Sequence, residues 1–180
     1  MTETLSKKEI AKQYVRASVH YGHAPQEWNP KMAPYILYEK YGYHIFDLVK
    51  TSKLLKLAGN VLEKKVEKGG KVLFVGTNKL SSSIIAKQAK QADSYYINYR
   101  WLGGMLTNWS TVQMQIQRLK ELEKQEAEGY FEKLSKKDYS SKRKDLDKLR
   151  RLFNGIKDMT SLPDVVIFTN PLKDSLAIQE

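Results

Sequence analysis

Cysteine is absent from all 180 residues, which excludes disulfides, thiolate metal sites and a cysteine nucleophile and is compatible with a reducing compartment. Histidine is scarce, at three. No apolar run approaches the roughly 18–20 residues of a spanning helix, and Met1 to Ile10 carries neither a signal-peptide core nor an Arg- and Ser-rich transit sequence, so membrane insertion and secretion are not expected. The glycine-rich signatures G-x-G-x-x-G and the P-loop Lys are missing, and no Ser, His and acid grouping stands in a nucleophile-elbow context. These absences leave catalysis little to stand on, and no catalytic residue, cofactor or metal is assigned.

Acidic side chains are also short. Against 20 Asp and Glu stand 31 Lys and Arg, a formal charge of +11 that favours a polyanionic partner. Residues 1–109 hold 17 basic and 8 acidic side chains, 110–160 hold 13 and 9, and 161–180 hold 1 and 3. The phosphate-facing surface is therefore expected on the sheet domain and along parts of the helical hairpin described below, away from the C-terminal end. The 41% hydrophobic content supports a real core. Heavy use of Lys, Ile, Asn and Tyr suits an AT-rich organellar or bacterial gene.

Ser6 and Glu9 form a capping-box pattern before a short entry helix with Ile10, Tyr14 and Val15 at helical spacing. Gly22, Pro25, Pro30 and Pro34 then break any helix, so Val19 to Tyr35 reads as extended or looped, and His44 to Leu48 as a short strand. Thr51 to Lys68 aligns Leu54, Leu55, Ala58, Val61, Leu62 and Val66 on one helical stripe that stops at Gly69-Gly70. Strands are read at Lys71 to Val75, Tyr95 to Ile97 and Asp164 to Phe168, with a helix at Ser81 to Ala92 capped by Ser81-Ser82-Ser83. This alternation predicts an α/β fold, a doubly wound parallel sheet flanked by helices.

Thr111 to Lys157 interrupts the rhythm with two long charged helices. Val112, Ile116, Leu119 and Leu122 make one narrow stripe and Tyr139, Leu146, Leu149, Phe153 and Ile156 the other, which predicts a projecting antiparallel coiled-coil hairpin rather than a core layer. The division follows: an α/β sheet domain over 1–110 and 158–180, and a helical hairpin insertion over 111–157. Glu123 and Glu126 fall where the first stripe fades, so the distal half of the hairpin is expected to be loosely held.

The segment Tyr96 to Trp109 gathers two tryptophans, Arg100, two amides and Gly103-Gly104. It suits a recognition surface: Tyr and Trp offer stacking faces, Arg100 forks onto phosphate, and the glycines bring backbone N–H groups close to a partner. It equally suits core anchors, with Gly103-Gly104 as a tight turn. His20 and His23, three apart, lack a third ligand at metal spacing and fit a structural or RNA-contacting role better. Gly76-Thr77 stands where doubly wound enzymes hold phosphates. Lys136-Lys137 and Arg143-Lys144 read as a solvated helix face or as phosphate contacts.

Gly22-His23, Trp28-Asn29-Pro30-Lys31-Met32, Val75-Gly76-Thr77 and above all Arg100 to Trp109 closely resemble the ribosomal protein S-two family of the small ribosomal subunit, and the likeness runs from about Val15 to Glu180. Met32 to Tyr35 and Thr107 to Thr111 look like the plastid and cyanobacterial members, which implies a chloroplast location, with a bacterial cytoplasm as the alternative. The resemblance implies a structural, non-enzymatic protein binding small-subunit rRNA and other small-subunit proteins. The RNA-binding candidates are His23, Trp28, Asn29, Lys31, Arg100, Trp101, Asn108, Trp109, Lys136, Lys137 and Arg143. Asn78 to Ser81 and Thr169-Asn170-Pro171 depart from the family pattern. The family also continues beyond the helix that begins near Leu172, so the C-terminal part of its fold is expected to be absent here, or supplied by a second polypeptide. A nucleotide-binding doubly wound enzyme and a free RNA-binding regulator are the alternatives.

Overall fold

The computed structural model describes residues 7–180, so Ser6 and its capping role lie outside the described residues. Two compact units divide at Lys64 and Lys65. The first holds α1 (Lys7–Arg16), a 3-10 turn at Pro30–Tyr35, β1 (Ile36–Lys40), β2 (Tyr43–Phe46) and most of α2 (Leu48–Val66). Tyr41 and Gly42 both take positive φ, 54° and 75°, the two-residue turn whose twist matches an antiparallel hairpin, and Lys40 pairs with Tyr43 across it.

The chain from His20 to His23 lies along the other side of β2. Gly22 N donates to His44 O at 2.8 Å, His44 N to His23 O at 3.1 Å and Phe46 N to His20 O at 2.9 Å. A Cβ on Gly22 would stand 3.1 Å from His44 O and 3.2 Å from the Phe46 ring, which is why glycine sits there. Asp47 Oδ1 caps α2 by accepting from Val49 N at 2.9 Å and Lys50 N at 3.2 Å. The predicted stripe on α2 is not buried: Leu54, Leu55, Val61 and Val66 are all exposed, and no residue of the helix is in a core.

The second unit is built on a three-stranded parallel sheet in the order β4 (Tyr95–Ile97), β3 (Val72–Val75), β5 (Val165–Phe168). β3 pairs Leu73 with Tyr95 on one side and Val72 with Val165 on the other. Two neighbours explain its uninterrupted apolar run: Leu73 and Val75 are essentially inaccessible, whereas every residue of β5, at an edge, is only half-buried. α3 (Lys79–Gln91) joins β3 to β4. Its cap is Asn78, whose Oδ1 accepts from Leu80 N at 3.4 Å, and not the predicted serine triplet; Ser82 Oγ instead donates to Asn98 O at 2.6 Å. Asp164 fixes the start of β5 beside β3 by accepting from Lys71 N at 2.8 Å, while Lys71 O accepts from Asp164 N at 2.9 Å.

α4 (Trp109–Ala127) and α5 (Lys136–Phe153) are linked by a 3-10 turn at Tyr130–Lys133. Val112, Ile116, Leu119 and Leu122 of α4 and Leu146, Leu149 and Phe153 of α5 are buried, but in the same cluster as Leu73, Val75 and Ile97 of the sheet. Apart from the exposed Tyr139, the two stripes are thus part of a core layer, contrary to the expectation from their narrowness; Trp101, Met105 and Ile156 belong to the same cluster.

The seam does not fade at Glu123 and Glu126 either. Glu123 accepts from Arg150 Nε at 3.1 Å and from Lys157, and Glu126 accepts from Arg150 at 2.6 Å and from Arg143. Phe131 plugs the turn at 3% exposure, and Lys142 Nζ sits 4.8 Å from the Tyr130 ring centre. The distal half is held by charge and one aromatic plug where coiled-coil spacing alone predicted looseness. Burial pushes the Glu123 carboxyl up, yet the hydrogen bonds and charges of Lys157 and Arg150 outweigh it and leave it below its ordinary value. Glu126 holds the Arg150 guanidinium above its own.

Two outcomes follow from this packing. A Cβ on Gly155 would lie 2.0 Å from Tyr96 O, a backbone atom of β4 that cannot swing aside. Gly155→Ala should destabilise by about 2–3 kcal/mol, a fall of roughly 5–10 °C in melting temperature. An unchanged melting curve would contradict that contact. For Glu123, a depressed carboxylate contributes stability that is present above its ordinary titration range and is lost as pH falls through the folded value. Glu123→Gln should therefore cost on the order of 1 kcal/mol at neutral pH, after allowance for solvent screening. The variant's stability should also decline less steeply between pH 5 and pH 3, in ranges about those of ordinary carboxylates. Parallel stability–pH curves for variant and wild type would refute the assignment.

Candidate nucleic-acid interface

Four of the predicted contact residues lie in the first unit. His23 is exposed while its carbonyl is held by β2; Trp28 is half-buried with its ring 4.8 Å from that of His44. Asn29 Oδ1 caps the 3-10 turn by accepting from Lys31 N at 3.0 Å, and the Lys31 side chain is exposed. This cluster presents one cation and one imidazole on a locally rigid turn.

In the second unit the Tyr96 to Trp109 segment divides. Tyr99 and Arg100 are exposed; Trp101 is 7% exposed, with its ring centre 6.3 Å from that of Phe168. Trp101 is a core anchor whose ring is not presented for stacking on a base, which corrects its assignment as a contact residue. Trp109 is half-buried as the first residue of α4, and the indole N–H groups of both tryptophans are buried without a hydrogen-bond partner. Asn108 Oδ1 accepts from Thr111 Oγ1 at 2.9 Å and from Ser110 Oγ at 3.3 Å, so its oxygen is engaged at the start of the helix. Gly104 has φ +87°, a conformation reserved for glycine. The N–H groups of Gly104 and, at 3.2 Å, Leu106 point to the Glu180 carboxylate, so these amides hold the chain's own anion.

Lys136 and Lys137 are exposed on the first turn of α5. Arg143 is committed elsewhere: it pairs with Glu126 and, at 3.7 Å, with Asp147, and so serves the α4–α5 seam. Its place on the solvent face is taken by Lys144, read with it as a basic pair, and by Lys148 and Arg151, which were not singled out. Lys144, Lys148 and Arg151 line a depression of about 430 Å³ together with Tyr99, Arg100, Leu102, Asp147 and Leu152. An adjoining hollow of about 290 Å³ shares Leu102, Lys148 and Leu152 with it and continues to Gln115 and Arg118 of α4. Arg118 is paired with Asp145 at 3.3 Å. Arg100, Lys144, Lys148 and Arg151 make no ion pair with any described residue. A helical-wheel count by position, rather than by adjacent basic pairs, would have added Lys148 and Arg151 to Lys144 on α5.

The crevice at the carboxyl ends of β3 and β5, where the strand order reverses, is the place a doubly wound enzyme would use. Here its residues engage one another. Thr77 Oγ1 donates to the buried Asp174 at 2.7 Å, Lys173 Nζ to Thr77 O at 3.3 Å and Thr169 Oγ1 to Ser81 Oγ at 3.3 Å. A Cβ on Gly76 would meet Ile85 at 2.8 Å and Thr169 Oγ1 at 3.1 Å, so side-chain packing already fills the space over that glycine. Among the described residues, no group of three His, Asp or Glu side chains is arranged to hold a metal ion.

Comparison with known proteins bears on what this surface serves. The family described as ribosomal protein S2 matches residues 14–180. The small ribosomal subunit protein uS2c of Porphyra purpurea is 49% identical over 92% of this chain and 69% of its own length. Its namesakes in Trieres chinensis and Phaeodactylum tricornutum are each 50% identical over 93% of this chain, and over 73% and 74% of theirs. With a family match over almost its whole length, and with the Arg100 to Trp109 segment folded into the centre of that matched region, the chain belongs to the ribosomal protein S2 family.

Proposed function

We propose that the chain is a structural constituent of the small ribosomal subunit of the chloroplast, acting in translation by binding rRNA and neighbouring subunit proteins. The observation that carries this is the family match over 14–180, joined to half identity with plastid relatives. The +11 charge and the unpaired cations beside Tyr99 suit an RNA partner. No catalytic role is assigned.

In this reading the RNA-facing candidates are Lys31 with His23, Trp28 and Asn29 in the first unit, and Arg100, Asn108, Trp109, Lys136 and Lys137 in the second. The α4–α5 pair packs on the sheet as part of the same core and offers its outer face to the subunit. Among the described residues β4 and β5 each pair only with β3, and parallel strands ordinarily have covered edges. In the subunit a neighbouring polypeptide would cover the half-buried β5.

The deciding experiment is sedimentation of tagged protein with plastid small subunits through a high-salt gradient. Retention in the subunit fraction is expected, whereas release to the top of the gradient would favour a free RNA-binding regulator. Binding to small-subunit rRNA should fall linearly on a log–log salt plot, and a flat line would refute phosphate-based binding. Arg100→Ala should lower incorporation with an unchanged melting curve. Trp101→Ala should instead cost about 3–5 kcal/mol of stability, as a large core truncation. Equal melting of the two variants would overturn this division of labour.

A further inference from the structure

α5 carries two faces with separate chemistry. Leu146, Leu149 and Phe153 are buried toward the core, and Arg150 and Arg143 reach the carboxylates of α4. Lys137, Lys144, Lys148 and Arg151 fall at i, i+7, i+11 and i+14, within an arc of about 60° on the opposite side. From Lys144 to Arg151 the axis advances about 10 Å, and from Lys137 to Arg151 about 20 Å. The cations on this stripe are exposed and have no carboxylate partner among the described residues. Like charges at i, i+4 repel by a few tenths of a kcal/mol, so Lys144 beside Lys148 is unfavourable for the free helix.

Tyr99 and Arg100, from the loop after β4, line the same depression as Lys144, Lys148 and Arg151. Tyr99 is 55% exposed and Arg100 is exposed, while the half-buried Leu102 and Leu152 add apolar carbon to the lining. A row of cations sharing one groove with an exposed aromatic ring and apolar carbon suits a sugar–phosphate backbone with one unpaired base lying on the ring.

We propose that this groove is an RNA-binding site: Lys144, Lys148, Arg151 and Arg100 neutralise successive phosphates of an unpaired rRNA segment, and Tyr99 stacks on one of its bases. The inference rests on the ribosomal reading and adds the place and the form of the RNA. Asp147, which lies in the same groove, is held by Arg143 at 3.7 Å, so the one acid lining it is partly neutralised from the seam side. An A-form duplex would leave Tyr99 without a partner, because its bases are stacked inside the helix.

The test measures the affinity of the full chain for in vitro transcribed small-subunit rRNA as a function of salt. Lys144→Gln, Lys148→Gln and Arg151→Gln are combined and compared with the charge-matched triple variant Lys53→Gln, Lys56→Gln and Lys64→Gln. The groove triple should flatten the log–log salt slope by about 2 to 3, and the control by less than one. Tyr99→Ala should lose roughly 5- to 100-fold in affinity with the slope unchanged. If the groove triple melts below wild type, Lys148→Gln alone carries the test, with a slope change of about one. Groove and control triples with equal slopes, while wild type still sediments with the subunit, would overturn the groove and leave the ribosomal reading intact. Wild type that neither binds rRNA nor sediments would overturn both. Loss of subunit incorporation with rRNA affinity retained would assign the groove to a protein neighbour and overturn the RNA proposal.

Discussion

The ion pairs that Glu123 and Glu126 make with Arg143, Arg150 and Lys157 fix the rotation of α5 about its own axis. An apolar seam of Leu146, Leu149 and Phe153 on its own would tolerate a twist of tens of degrees, since leucines repack at modest cost. Two carboxylates held by three cations do not, because turning the helix would strand half-buried charges. With Arg143 and Arg150 drawn toward α4, Lys144, Lys148 and Arg151 have only the outer side left to occupy. The charge sorting on α5 is thus a single geometric consequence. Basic residues one position apart have opposite tasks because one of each pair, Arg143 or Arg150, is needed inside.

Much of the fold was legible because its elements are local. β3, β4 and β5 were marked by short apolar runs beside Gly or Pro, and α3 by the alternation between them. β1 was not read, since Ile36 to Lys40 carries exposed Leu37 and Tyr38 and lacks the in–out alternation of a half-buried strand. Its evidence is the Tyr41-Gly42 turn, a weaker signal than Asn-Gly because tyrosine seldom takes a positive φ. The cap of α3 was misplaced by three residues because any of Asn78, Ser81, Ser82 or Ser83 satisfies the capping chemistry, and only the position of Asn98 decides that Ser82 turns toward β4.

The site was less legible than the fold, for a reason visible at Trp101. A tryptophan in a loop flanked by Arg and Gly reads as a recognition residue. Whether it points into the core depends on Phe168, 67 residues later in sequence, closing over it. The same long-range dependence hid the roles of Glu123 and Glu126. At seam positions they look like defects until Arg150 and Lys157, 27 and 34 residues beyond Glu123, and Arg143 and Arg150, 17 and 24 beyond Glu126, supply their partners. Arg100 and Lys137, which need no distant residue to be exposed, were read correctly as surface residues.

A final consequence concerns how this surface is paid for. Lys144, Lys148, Arg151 and Arg100 crowd positive charge around one depression, and in the free protein solvent, salt and the partly neutralised Asp147 relieve it. The cost is met by the interior: Leu119 and Leu146 are fully buried where the helices meet, and Phe131 seals the far turn. Those contacts let α5 remain helical with a formally unfavourable outer face. An arriving polyanion relieves the repulsion and makes its contacts in one event, so that the strain of the free state adds to the affinity of the bound one. Ion pairs inside and unpaired cations outside are therefore complementary halves of one arrangement, in which neutralised charge sets the position of the charge left available.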